Sequence, residues 1–86
     1  MRIVYKYPIN LGHNNITLPL ESEIIHVGEQ YGQLHLWVEQ YFNRPFVQRE
    51  FNVYATGQHI YNNNEMHVST VMVGDFVWHV YENIFV

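Results

Sequence analysis

Between Arg2 and Tyr7 the chain alternates Ile3, Tyr5 and Tyr7 with Arg2, Val4 and Lys6, and Pro8 then limits further pairing. A period of two is the signature of a half-buried strand, and the proline places this one near a sheet edge. After an Asn- and Gly-containing turn at Asn10 to Asn15, Ile16, Leu18 and Leu20 alternate with Thr17 and Pro19, which predicts a second short strand. Glu21 to Glu23 then turns the chain. Ile24 to Val27 and Leu34 to Glu39 are the next two strand-like runs, joined through Gly28 to Gln33 with a four-residue loop at Glu29 to Gly32. Phe46 to Ala55 is the fifth run, behind the break at Arg44-Pro45, and Gly57 to Met66 is the longest loop. Finally, two β-branched and aromatic segments in Val68 to Val86 flank Gly74-Asp75. That dipeptide fits a tight hairpin whose first central residue has φ > 0.

One stretch reads two ways. Leu34, Trp37, Val38 and Tyr41 also satisfy a helical i, i+3, i+4, i+7 spacing, but the run is short and its surroundings are rich in β signals, so a strand is preferred. About seven short strands without a clear helix predict an all-β fold, a small antiparallel sandwich or partly open barrel, as a single domain over residues 1–86.

At 86 residues there is room for one core, and folding buries only about 60–65% of the surface of the unfolded chain. Aromatic content of 16% compensates in part. Only 14% of residues are charged, so the exterior must be covered by Asn, Gln, Thr, His and Tyr, a surface suited to self-association or to a partner.

The formal net charge of -4, with Arg2, Lys6, Arg44 and Arg49 the basic residues, argues against direct nucleic-acid binding, which needs a basic stripe to neutralise phosphates. The absence of cysteine excludes disulfides, thiolate nucleophiles and Cys-based zinc sites. The opening MRIVYKYP lacks the apolar segment of a signal peptide, and no apolar run reaches membrane-spanning length, so a cytoplasmic protein without membrane contact is expected.

The period-two rule then extracts one candidate face. With Ile25 and Val27 turned to the core opposite Leu34, Leu36 and Val38, the other face carries Ile24, His26, His35 and Trp37, with His26 directly across from His35. Two imidazoles at that distance invite a metal completed by His59, His67 or His79, but ligands at i, i+2 or i, i+4 are missing, so no metal and no cofactor are assigned. An exposed Trp is the residue type that dominates interface energies, and Tyr31 at the loop tip is a second exposed aromatic. Tyr31, Trp37, His26 and His35 are therefore the candidate partner-binding residues. Trp78 is expected in the core, on one apolar face with Phe76 and Val80.

Catalytic readings find little support. Ser22 and Ser69 sit in no nucleophile elbow, the sole aspartate, Asp75, falls in the predicted turn, Glu21 and Glu23 read as a solvated turn, and the five glycines are isolated rather than gathered into a phosphate loop. A non-enzymatic protein is expected.

The segments VYKYP (Val4 to Pro8), HVGEQYGQLHLW (His26 to Trp37), ATGQHI (Ala55 to Ile60) and FVWHVYE (Phe76 to Glu82) together resemble a family of small uncharacterised proteins found in phages and bacterial genomes. The resemblance covers most of the chain except Gln40 to Gln48, and assigns no chemistry to any residue. What it implies is a phage or prophage accessory product made inside a host cell. The expected function is accordingly binding to a host protein, with inhibition of a defence system in the manner of an anti-CRISPR as its specific form. Two alternatives remain: a homo-oligomeric β module binding a small polar ligand such as a nucleotide signal, with Arg44 and Arg49 supplying charge, or a virion or assembly component. Edge-strand pairing into a homodimer is compatible with each.

Overall fold

The computed structural model describes residues 1–84. The described residues form seven strands and no helix: β1 (Arg2–Pro8), β2 (Gly12–Pro19), β3 (Glu23–Gln30), β4 (Gln33–Tyr41), β5 (Phe46–Ala55), β6 (Glu65–Val73) and β7 (Phe76–Asn83). They build a three-stranded sheet in the order β1-β4-β3 and a four-stranded sheet in the order β2-β5-β7-β6, every pairing antiparallel. The sheets pack face to face as a sandwich and do not close into a barrel, so of the two expected architectures the sandwich is the one formed. The final residues of the Val68 to Val86 run, 85 and 86, lie outside the described residues.

The ambiguous run at Leu34 to Tyr41 is a strand. In β4 the residues Leu34, Leu36, Val38 and Gln40 are buried and their neighbours are half-exposed. β1 and β3 take up its backbone groups from both sides, which a helix in the same place could not offer them. Leu36 and Val38 meet Leu18 of β2, Phe51 and Val53 of β5 and Val80 of β7 in one core, with Ile9, Val27 and Leu34 around it. Trp78 is only partly buried and packs against this core rather than inside it, and Phe76 beside it is 63% exposed.

Two register details differ from the simple alternation. A bulge between Ile24 and His26 leaves Ile25 unpaired and 50% exposed, while Ile24 takes the inward position opposite Val38. The expectation of a core Ile25 is thus corrected. The β3–β4 loop is also shorter than four residues: Gln30 pairs with Gln33, and Tyr31 and Gly32 turn the chain with φ of 54° and 78°. Positive φ at both central residues is the type I′ geometry that matches strand twist. The β6–β7 connection is the expected tight hairpin, Val73 pairing with Phe76 around Gly74 (φ 59°) and Asp75.

β2 begins at Gly12, earlier than Ile16, since Asn14 folds its amide back on Asn10 and Gly12 and so shortens the turn that precedes it. Most polar groups that enter the sandwich have partners, the buried Asn83 Oδ1 being one that does not. The Tyr7 hydroxyl donates to Gln40 Oε1 at 2.7 Å. Arg49 grips both carboxylate oxygens of Glu82 (Nε–Oε2 2.6 Å, Nη2–Oε1 2.8 Å) and donates a third bond to the Ser22 carbonyl.

Candidate binding faces

The outer face of the three-stranded sheet collects three of the four residues expected to contact a partner. Trp37 stands in the middle of its central strand, opposite Lys6 on β1 and His26 on β3; His35 stands opposite Pro8 and Gly28. The two-residue turn at Tyr31 and Gly32 sets Gln30 opposite Gln33 and thereby His26 opposite Trp37, so the expected His26–His35 pair does not form. Instead the two imidazoles flank the indole, with ring centroids 5.1 Å (His26) and 5.8 Å (His35) from it and both tilted by 57°. Gly28 provides the seat for this trio: a Cβ there would stand 2.8 Å from His26 Nε2 and 3.5 Å from Trp37 Cζ3. A hydrogen bond between His35 Nδ1 and the Gln33 carbonyl (2.9 Å) fixes the second imidazole and puts the ring proton on Nδ1, the carbonyl being able only to accept. Around the trio lie the Arg2–Glu39 ion pair (3.0 Å) and the Lys6–Gln30 bond.

Tyr31 is placed elsewhere, at the tip of the β3–β4 hairpin, 96% exposed. Its turn partner Gly32 lines an apolar recess of about 320 Å³ at the end of the sandwich, whose other walls include Ile9, Leu11, Leu34, Phe76 and Trp78. Phe76 and Trp78 are stacked there with centroids 5.7 Å apart.

Sequence reading missed a second organised surface, on the outer face of the four-stranded sheet. Here Tyr54 donates to Glu65 Oε2, Asn52 donates to Glu65 Oε1, and His13 Nδ1 lies 3.1 Å from Asn52 Oδ1. His67 Nε2 (2.9 Å) and His79 Nδ1 (3.0 Å) share the Thr70 hydroxyl, and His79 Nε2 reaches Thr56 Oγ1 at 2.7 Å. The ring of Tyr81 makes edge-on contacts with Tyr54 (5.7 Å) and His67 (5.4 Å). Burial, and after it the Glu65 carboxylate, push the Tyr54 phenol up to about 12, so it remains a hydrogen-bond donor at every physiological pH. The signal in the sequence was the outward half of the β7 alternation, His79 and Tyr81, set aside in favour of its apolar half.

Among the described residues no three His, Asp or Glu side chains gather in an arrangement that could hold a metal ion. The Ser22 hydroxyl is buried and spent on the Pro19 carbonyl. Arg44 and Arg49, candidates for ligand charge, are taken up by Glu21 and Glu82. Among the described residues no helix is long and apolar enough to cross a membrane.

Residues 1–85 match the family described as a domain of unknown function, DUF7352. The chain belongs to the DUF7352 family. Because the match runs through all seven strands, the sandwich described above is that of the DUF7352 domain in this chain. Comparisons of this DUF7352 member with curated proteins and with solved structures found no match.

Proposed function

We propose that this protein is a non-enzymatic binding module that docks on another protein through the Trp37 face and the adjoining Tyr31 hairpin. The observation that carries the reading is Tyr31 itself. A tyrosine held at φ 54° and 96% exposed occupies a turn position where Asn, Asp or Gly would sit without strain. Left-handed backbone costs an ordinary residue roughly 1–2 kcal/mol, and an exposed ring returns none of it within the monomer. A partner that buries the ring would return it. Trp37 supports the same reading, since it is braced by two imidazoles on an open sheet face rather than packed into the core.

The resemblance to phage and bacterial proteins supports a protein of the host cell as the partner, and inhibition of a defence system is the specific form proposed. A low charge density and an aromatic contact face suit steric blocking of another protein's surface. The test is capture from host lysate, followed by binary affinity measurement with the purified captured protein. A Tyr31→Ala/Trp37→Ala variant of native stability should bind it at least about tenfold more weakly, or about 1.4 kcal/mol. Affinity within about threefold of wild type would remove the assignment of this face.

A further inference from the structure

The polar face of the four-stranded sheet is independent of the partner surface just described and lies on the opposite side of the sandwich. From its chemistry we infer that it is a binding site for a neutral, hydroxyl-rich ligand, a saccharide, seated in the cleft between the outer face of β5 and β7 and the loop that follows β5.

Four observations converge on that ligand class. The first is shape: a cleft of about 180 Å³ is bounded by Tyr54, Ala55, Thr56, Gln58, His79 and Tyr81, space for roughly one pyranose ring and open enough for a chain to continue on either side. The second is the lining. Tyr54 and Tyr81 bring phenol rings to the floor, while Thr56, Gln58 and His79 bring hydroxyl, amide and imidazole groups. Apolar ring faces for C–H groups beside polar groups for hydroxyls are what a sugar requires, because a sugar ring is itself amphipathic; the Thr56 hydroxyl and the Gln58 amide supply the polar groups, and the His79 imidazole, bonded at both nitrogens, orients Thr56.

The third observation is preorganisation. Side chains on a solvated sheet face ordinarily hydrogen-bond to water, but here Glu65 fixes Tyr54 and Asn52, and His79 is held from both sides by Thr56 and Thr70. The groups that remain point to a ligand: the Gln58 side-chain oxygen is engaged by the Ala55 N–H, so its amide NH₂ is the group left to donate. Holding a site in one arrangement lowers the ordering entropy that binding costs.

The fourth observation is charge. None of the four basic residues stands on this face: Arg2 and Lys6 are on β1, Arg44 follows β4, and Arg49 turns inward to Glu82. The face carries Glu50 and Glu65 instead, which repel phosphates, nucleic acid and acidic glycans at neutral pH and leave a neutral ligand as the fit.

The experiment is an amide-resolved NMR titration of the isotope-labelled full chain with four neutral hexasaccharides: α-1,4-gluco, β-1,4-gluco, β-1,4-xylo and β-1,4-N-acetylgluco. At least one should shift amides of Tyr54 to Gln58 and His79 to Tyr81 with Kd at or below about 1 mM, leaving His26, His35 and Trp37 unmoved. Tyr81→Ala should weaken that binding by about tenfold or more; Gln58→Ala, an exposed loop change without bearing on the core, should weaken it by about threefold or more. No saturable shift with any of the four, shifts confined to other surfaces, or full affinity in a folded Gln58→Ala/Tyr81→Ala chain would each overturn the inference.

Discussion

Gly28→Ala is the change that best separates the binding face from the stability of the sheet. Gly28 has no positive φ, so an alanine fits its extended backbone and recovers about 0.5–1 kcal/mol of the entropy that a strand glycine forfeits. The new Cβ, however, stands 2.8 Å from His26 Nε2 and 3.4 Å from His26 Cδ2, inside the contact limit for the first of these. The clash is with the far end of an exposed side chain rather than with backbone, so the imidazole swings outward. A displaced rotamer costs roughly 0.5–1.5 kcal/mol and the lost ring contact a similar amount, leaving a net loss below about 2 kcal/mol. Trp37, 5.1 Å from that imidazole, loses one of its two braces. Urea unfolding should therefore show a small change in midpoint with an unchanged slope. In a Trp78→Phe background, where Trp37 is the sole tryptophan, its emission on selective excitation should move to the red as water replaces the ring. A loss above about 3 kcal/mol would mean that the glycine serves the strand pairing itself. An unmoved emission spectrum would mean that the rings do not rest on Gly28.

Tyr31→Asn should raise stability by about 0.5–1 kcal/mol in thermal or urea unfolding, because asparagine tolerates the left-handed turn position, while lowering affinity for the captured partner. Phe51→Ala, at a fully buried position where the two sheets meet, should cost about 3–5 kcal/mol and leave the small chain largely unfolded by circular dichroism at 37 °C. For Tyr54, whose folded pKa is raised to about 12 from 10.0, the native state holds the phenol proton more tightly than the unfolded chain. Its contribution to stability is complete below pH 10 and is lost as pH rises from about 10 to about 12. Tyr54→Phe should flatten that part of the alkaline stability profile, and spectrophotometric titration should show one fewer late-ionising phenol.

Much of the architecture was legible because strand signals are local. The alternation in β1 and β4, the Gly74-Asp75 turn and the β-branched runs at the end of the chain each name a strand or a hairpin without knowledge of any other part. The same locality explains why the arrangement of His26, His35, Trp37 and Tyr31 was legible only in part. His26, His35 and Trp37 share a face because parity along β4 and the outward turn of His26 suffice for that. Their mutual order depended on a loop two residues shorter than expected, which moves His26 from opposite His35 to opposite Trp37. Loop length leaves no mark in composition, and a change in it exchanges which side chain stands opposite which. Tyr31 was correctly expected at an exposed tip but not at the lip of an apolar recess, because residues from the β1–β2 connection and β7 form most of that recess.

The polar face of the four-stranded sheet lay furthest from view for the same physical reason. Its members come from β2, β5, β6 and β7, and the order β2-β5-β7-β6 brings His13, Asn52, Tyr81 and His67 into one row from positions scattered over most of the chain. By itself the sequence determined that the chain is all-β, which faces of its strands are apolar, where two of its tight turns fall, and that no basic stripe, cysteine chemistry or glycine-rich phosphate loop is present. Only the tertiary structure decided that the strands form a sandwich and not a barrel, which side chains neighbour one another across strands, and that Arg44 and Arg49 are consumed by Glu21 and Glu82. Period and propensity act over a few residues, whereas pairing order and register are set by the burial of whole faces against each other.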